Sequence, residues 1–198
     1  MTPFIIGLTG SIGMGKSTTA KFFASYQDVA LWDADAAVHR LYRQGGAAVG
    51  PIQGRWPGCI KNDAVDRNAL KALIKDDPQV LDQLETIVHP LVQQDRTAFI
   101  AECEQSICVL DIPLLFETGA ETQMDLVVVV SIDAEEQRRR VMERPGMTEQ
   151  HFQRILQSQV PDAEKRKRAD VVIQTVSLAA VKKQVDDLLD RIRGGEHA

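Results

Sequence analysis

Residues 10 to 17 read Gly-Ser-Ile-Gly-Met-Gly-Lys-Ser, a complete G-x-x-x-x-G-K-[ST] pattern, and no other stretch of the 198 residues restricts the fold so tightly. An apolar run from Phe4 to Thr9 leads into it, and a segment of helical period, Lys16–Tyr26, leaves it. Strand, glycine loop and helix in that order let successive backbone N–H groups converge on one point at a helix N-terminus. Glycines supply the positive φ and the close approach that a Cβ would block. By average glycine usage such an octet arises by accident on the order of once in a hundred chains of this length. With the correct flanks, the reading is a site for a nucleoside triphosphate, contacted by Gly10, Ser11, Ile12, Gly13, Met14, Gly15, Lys16, Ser17 and Thr18. Lys16 brings a point charge to the β- and γ-phosphates, and the Ser17 hydroxyl is placed to coordinate Mg²⁺.

The rest of the chain alternates short β-branched runs with longer segments of helical period, the pattern of an α/β domain around a parallel sheet. Five strands are expected: Phe4–Thr9, Val29–Trp32, Ile107–Asp111, Leu126–Ile132 and Val171–Gln174. All are nearly continuously apolar, as strands covered on both faces are. Helices are expected at Lys16–Tyr26, Ala134–Met142, Glu149–Gln159 and Leu178–Arg193, the last with Val181, Val185, Leu188, Leu189 and Ile192 on one face, Ser177 as cap and Gly194 as terminator. From Ala36 to Glu104 no strand is evident and a helical insertion is expected, with Asp77-Pro78 starting a helix and Gly45, Gly46, Gly50, Pro51, Gly54, Pro57 and Gly58 marking a long loop.

Several function classes fall away on composition. Cys59, Cys103 and Cys108 form no Cys-x-x-Cys pair and have no metal-ligand spacing with His39, His89, His151 or His197, so neither a disulfide framework nor a zinc site is indicated, and a reducing cytosol is expected. No apolar run approaches the roughly 20 residues of a membrane-spanning helix, and no basic residue precedes the Phe4–Leu8 run as in an export signal. A net charge of −5 argues against a general nucleic-acid binder. The two asparagines, Asn62 and Asn68, are not followed by lysine, which removes the guanine-reading element of a GTP switch.

Carboxylates and arginines add chemistry. Asp33 and Asp35 close the second strand, and transfer to a hydroxyl needs a carboxylate to take its proton; base or metal work stands against helix capping by Asp35. Asp111 ends the third strand, where an acidic residue can steady Mg²⁺ or simply terminate a strand. Arg140 and Arg144 lie one helical turn apart among four arginines in the 138–144 stretch, before Pro145-Gly146. They read as a mobile segment closing over a phosphoryl group, against the alternative of a solvated helix face. Lys165-Arg166-Lys167-Arg168 is flanked by Asp162, Glu164 and Asp170 and reads as a solvated or lid-linked helix rather than a nucleic-acid patch.

In combination these residues resemble the dephospho-coenzyme A kinase family over nearly the whole chain. The resemblance is carried by Gly7-Leu8-Thr9-Gly10 running into Gly13-Met14-Gly15-Lys16-Ser17, by Asp33-Ala34-Asp35, His89-Pro90 and Pro113-Leu114-Leu115-Phe116-Glu117, by the Gln137 to Arg144 segment, and by Gln159 and Ala169-Asp170-Val171-Val172-Ile173. It implies an α/β three-layer P-loop kinase fold with a five-stranded parallel sheet: a core of about 1–35 and 105–198, a helical coenzyme A lobe of about 36–104 and a lid of about 137–168. It further implies ATP and Mg²⁺, with Asp35 as base, Lys16 and Arg140 as charge stabilisers, Arg144 on ATP, Ser17 and Asp111 on the metal, and Asp33, His89, Pro113, Leu114, Leu115 and Glu117 about the acceptor, dephospho-coenzyme A. Gln174-Thr175-Val176-Ser177 stands where family members carry an Asn and a Gly, and Ser11 replaces a frequent Gly. The competing readings are another small-molecule P-loop kinase, acting on a nucleoside or nucleotide, and a non-catalytic ATP-binding regulator. Pro113–Glu117 with the helical insertion opposes the first, and a base together with an arginine lid opposes the second.

Overall fold

The computed structural model describes residues 2–195. In chain order it comprises β1 (Phe4–Thr9), α1 (Lys16–Phe23), β2 (Val29–Asp33), α2 (Ala34–Tyr42), α3 (Val49–Arg55), β3 (Ile60–Lys61), β4 (Ala64–Val65), α4 (Arg67–Asp76), α5 (Gln79–Ala101), β5 (Ile107–Asp111), β6 (Leu126–Ser131), α6 (Ala134–Met142), α7 (Glu149–Gln157), α8 (Asp162–Arg168), β7 (Val171–Gln174) and α9 (Leu178–Arg193). The chain divides into two compact units, one running to Leu31 and resuming at Cys103, the other spanning Trp32–Glu102.

The first unit is built on a five-stranded parallel sheet of order β2-β5-β1-β6-β7. Leu8 stands opposite Asp111, Thr9 opposite Val129, and Ser131 opposite Gln174. Every residue of β5 and β6 is buried, so helices must cover both faces, and that is why these strands read as unbroken apolar runs. Ile6, Leu8, Val109, Val128 and Val130 meet Phe23 of α1 and Val185, Leu188 and Leu189 of α9 in one core. The Ser177 hydroxyl caps α9 by accepting from Ala180 N at 3.1 Å, and Gly194 follows its last residue with ordinary right-handed angles; the left-handed residue is Gly195, at φ 78°. Helix α1 ends three residues earlier than its period suggests, where the Ser25 hydroxyl donates to the Phe22 carbonyl at 2.6 Å. Burial pushes the thiol of Cys108, inside β5, up to about 12, so this cysteine is a neutral core residue.

The second unit departs from the sequence expectation twice. A helix, α3, occupies the stretch expected as loop, with Gly50, Pro51 and Gly54 inside it. Pro51 sits in the first turn, where its missing N–H is no loss, and a Cβ at Gly50 or Gly54 would meet open space. Burial of Ile52, beside Ala48, Leu41 and Leu84 in a separate core, outweighs the poor helix propensity of the glycines. A two-stranded hairpin, β3–β4, also forms. Its turn residues Asn62 and Asp63 both adopt positive φ, 53° and 57°, and two-residue strands are too short to show a period. Asp77 Oδ1 accepts from Gln79 N at 3.0 Å and starts α5, which continues through Pro90. Asp95 on α5 accepts from Trp32 Nε1 at 2.7 Å and from Arg40 Nη2 at 2.5 Å and Nε at 3.1 Å, tying α2 to α5. No helix among the described residues is long and apolar enough to cross a membrane, and His197 lies outside those residues.

Candidate active site

The octet forms a loop whose shape depends on its glycines. Gly13 and Gly15 take φ of 81° and 88°, and a Cβ on Gly13 would stand 2.5 Å from Val141 Cγ2, one on Gly10 2.4 Å from Val130 Cγ2. Gly15 is the residue before α1 and no side chain caps that helix, so its N-terminus is left without the side-chain acceptor that would compete with an anion. Ser17 and Thr18 are exposed, whereas Ser11 and Met14 are buried.

Lys16 Nζ, at the start of α1, is paired with Asp111 Oδ1 at the end of β5. The carboxylate is 3% exposed and the lysine 15%, so the ammonium is turned into the unit rather than toward solvent. The opposed positions of Leu8 and Asp111 in neighbouring strands bring this about: β1 delivers the loop, and β5 delivers the carboxylate beside it.

Side chains distant in sequence hold the loop backbone. Gln137 Nε2 donates to the Ile12 carbonyl at 2.7 Å, Gln159 Oε1 accepts from Ile12 N at 3.2 Å, and the Thr175 hydroxyl donates to the Met14 carbonyl at 2.9 Å. Arg140 leans on the same threonine, from Nη1 to its hydroxyl at 3.2 Å and from Nη2 to its carbonyl at 2.8 Å. Glu136 accepts from Arg140 Nε at 2.7 Å; hydrogen bonds from Arg139, then Arg140, hold the Glu136 carboxyl down to about 2.

Arg144 does not share a face with Arg140. Helix α6 ends at Met142, and Arg144 lies beyond it, exposed, because a residue before proline is disfavoured in the helical region. Arg138 and Arg139 are taken up by surface pairs with Glu149 and with Glu136 and Glu143. Of the four arginines, Arg140 is the one whose guanidinium is bonded beside the loop.

The 113–117 segment follows β5. The Pro113 carbonyl accepts from the Thr9 hydroxyl at 3.1 Å, Leu114 is exposed, and Leu115 is buried over Gly7, whose missing Cβ would lie 3.1 Å from Leu115 Cδ2. The Glu117 carboxylate turns inward, accepting from Val160 N at 2.7 Å and facing Lys165 Nζ at 2.9 Å.

Three expected site residues belong to the second unit. Asp33, not Asp35, is the cap of α2, its Oδ1 accepting from Ala36 N at 2.8 Å. Asp35 is exposed in the first turn, and His89 is exposed midway along α5, next to Pro90.

The dephospho-CoA kinase family model matches residues 4–180. The chain is 54% identical over 192 residues to a dephospho-CoA kinase of Ruegeria pomeroyi, covering 97% of each chain. This protein belongs to the dephospho-CoA kinase family. A crystal structure of a Thermus thermophilus protein, 34% identical, superposes with a TM-score of 0.82 over 96% of this chain and 98% of that one. A dephospho-CoA kinase from Campylobacter jejuni, 21% identical, shares the fold with a TM-score of 0.69 over 97% and 98% of the two chains.

For a dephospho-CoA kinase family member, the residues that sequence reasoning passed over are the loop's supports. Gln137 opens the arginine-rich segment that carries the family resemblance, but its burial and its bond to the loop leave no local signal. Thr175 stood out as a departure from the family pattern, yet its contacts tie it to Met14 and Arg140. A sequence signal existed for Gln159, which the family motif includes.

Proposed function

We propose that this chain transfers the γ-phosphoryl group of ATP to the ribose 3′-hydroxyl of dephospho-coenzyme A, releasing coenzyme A and ADP. The observation that carries the proposal is the extent of the family match, since residues 4–180 take in the phosphate loop, Asp33 and Asp35, His89, the 113–117 segment and Arg140 in one stretch. In this reading the loop N–H groups bind the β- and γ-phosphates and Lys16 exchanges its partner, Asp111, for phosphate oxygens. Arg140 adds positive charge where the transferring group spreads its negative charge, and Arg144 approaches ATP from the following turn. Asp35 takes the hydroxyl proton as the 3′-oxygen bonds to the γ-phosphorus, while the bond from that phosphorus to the β–γ bridging oxygen breaks and that oxygen leaves with the electron pair as part of ADP. Asp33, His89, Pro113 and Leu114 flank the acceptor, with Leu115 and Glu117 supporting the segment from within. Segment 137–168 acts as the lid, and 36–104 as the acceptor lobe.

Mg²⁺ suits this donor set. The Ser17 hydroxyl and the Asp111 carboxylate are hard oxygen ligands, no cluster of three His, Cys, Asp or Glu side chains is found among the described residues, and Mg²⁺ is characteristically held by one or two protein oxygens with phosphates and waters completing its shell. Bound there, the ion neutralises charge on the phosphates. Three free cysteines accord with a cytosolic setting, and the acidic net charge with small-molecule rather than nucleic-acid substrates.

An ADP-release assay over dephospho-coenzyme A, adenosine, nucleoside monophosphates and shikimate tests the proposal. Turnover of dephospho-coenzyme A well above the others, with the product phosphorylated at the 3′ position, is expected. Preference for any other acceptor overturns it.

A further inference from the structure

Of the four basic residues of α8, Lys165 is withdrawn into the first unit, while Arg166, Lys167 and Arg168 stay exposed. Lys165 is 0% exposed and faces Glu117 Oε1 at 2.9 Å, without the alignment of a directed hydrogen bond. Arg168 pairs with Glu121 and lies 4.3 Å above the Phe116 ring. At the other end of the helix Asp162 Oδ2 accepts from the Ser131 hydroxyl at 2.8 Å. Helix α8 is thus fastened to β6 and to the loop that follows Pro113.

A buried pair of this kind is a poor way to gain stability, because desolvating both charges cancels most of their attraction and an apolar pair of equal volume does as well. The surroundings add to the cost: Glu117 Oε2, Glu121 Oε2 and Asp162 Oδ1 are buried with no hydrogen bond from the described residues. Such clusters call for a role beyond cohesion. Glu117 has one, since the oxygen facing Lys165 also accepts from Val160 N at 2.7 Å, and the residue before it, Gln159, accepts from Ile12 N at 3.2 Å in the phosphate loop.

The geometry points to Glu117 as a positioning residue for the phosphate loop: anchored by Lys165, its carboxylate fixes Val160 and thereby aims Gln159 at the Ile12 N–H. The inference rests on the reading of residues 10–17 as the ATP site. It makes Glu117 a link between the segment beside the acceptor and the loop beside the donor, not a ligand of either substrate. Lys165 faces the carboxylate and holds it in place, and Gln137 holds the carbonyl of the same residue, Ile12.

ADP binding measured by calorimetry on the full chain tests this independently of the acceptor. Glu117→Leu/Lys165→Met removes both buried charges together and should melt near the wild-type temperature while weakening ADP about tenfold, the scale of one lost, well-placed hydrogen bond. Glu117→Gln/Lys165→Met retains an oxygen for Val160 N–H and should keep wild-type affinity. Gln159→Leu should weaken ADP by the same factor as the first variant, and combining the two should add nothing, since both break one chain of contacts. Wild-type affinity in Gln159→Leu overturns the inference however the other variants fold, as does full additivity in the combination. A wild-type chain that binds no ADP overturns the ATP-site reading itself, whereas a wild type that binds ADP with unaffected variants overturns only the positioning role.

Discussion

Arg140 grips Thr175 at two points, from Nη1 to the hydroxyl at 3.2 Å and from Nη2 to the carbonyl at 2.8 Å, and that hydroxyl in turn donates to the Met14 carbonyl. The arginine is therefore referenced to the phosphate loop and not only to its own helix. Arg140→Ala should lower kcat by roughly 10²-fold and raise the KM for the acceptor much less, because charge on the transferring group is greatest in the transition state. Thr175→Val leaves the guanidinium and removes its reference, so a smaller loss of about tenfold in kcat is expected. Steady-state kinetics on both variants decide the matter; a change confined to the acceptor KM would assign Arg140 to substrate binding.

Lys16→Met should abolish most turnover, by about 10²-fold or more, because it removes a donor from the phosphates. It should also cost stability, unlike the removal of a solvent-facing lysine. Asp111 is 3% exposed and loses its pairing with Lys16, a change of about 2 kcal/mol, the scale of a hydrogen bond to a charged group. Thermal melts run beside the kinase assay provide the check, and an unchanged melting temperature would contradict the buried pairing.

The roles of Asp33 and Asp35 separate by substitution. Asp33 Oδ1 caps α2 through Ala36 N, so Asp33→Ala should cost about 1 kcal/mol while Asp33→Asn, an equally good cap, should cost almost none. Asp35 makes no capping bond. If it is the base, Asp35→Asn should lower kcat by roughly 10²–10⁴ with stability changed by ~0.5 kcal/mol or less. Near-normal turnover by Asp35→Asn with an inactive Asp33→Asn would move the base to Asp33.

Acid should loosen the second unit through Asp95. The hydrogen bonds from Arg40 first, and then from Trp32, hold its carboxyl below the ordinary aspartate value of 3.8. A depressed folded-state pKa means that the contribution is complete above the unfolded value and is lost as pH falls through the folded one, so the loss begins below about pH 4. Both tryptophans, Trp32 and Trp56, belong to this unit, and their fluorescence reports on it directly. Asp95→Asn should shift the acid transition of that fluorescence to higher pH, and an unmoved transition would show that another group governs it.

What the sequence determined alone is whatever depends on short-range rules. The glycine octet permits one backbone shape between one strand and one helix; five unbroken apolar runs demand a sheet covered on both faces; and α9 shows its buried stripe of Val181, Val185, Leu188, Leu189 and Ile192 at helical spacing. Tertiary structure decided the cases in which a distant partner outweighs local preference. Ile52 draws a glycine- and proline-containing stretch into α3 because burial there exceeds the propensity cost. Pro145 takes Arg144 off the face of Arg140, and Asp33 rather than Asp35 proves to be the cap. Lys165 is the sharpest instance, since in a run of four basic residues nothing local distinguishes it from its neighbours. Only the placement of Glu117 beside β5 and of α8 against β6 removes that one ammonium from water, because desolvation depends on what the whole fold brings near a group and not on the residues adjacent in the chain.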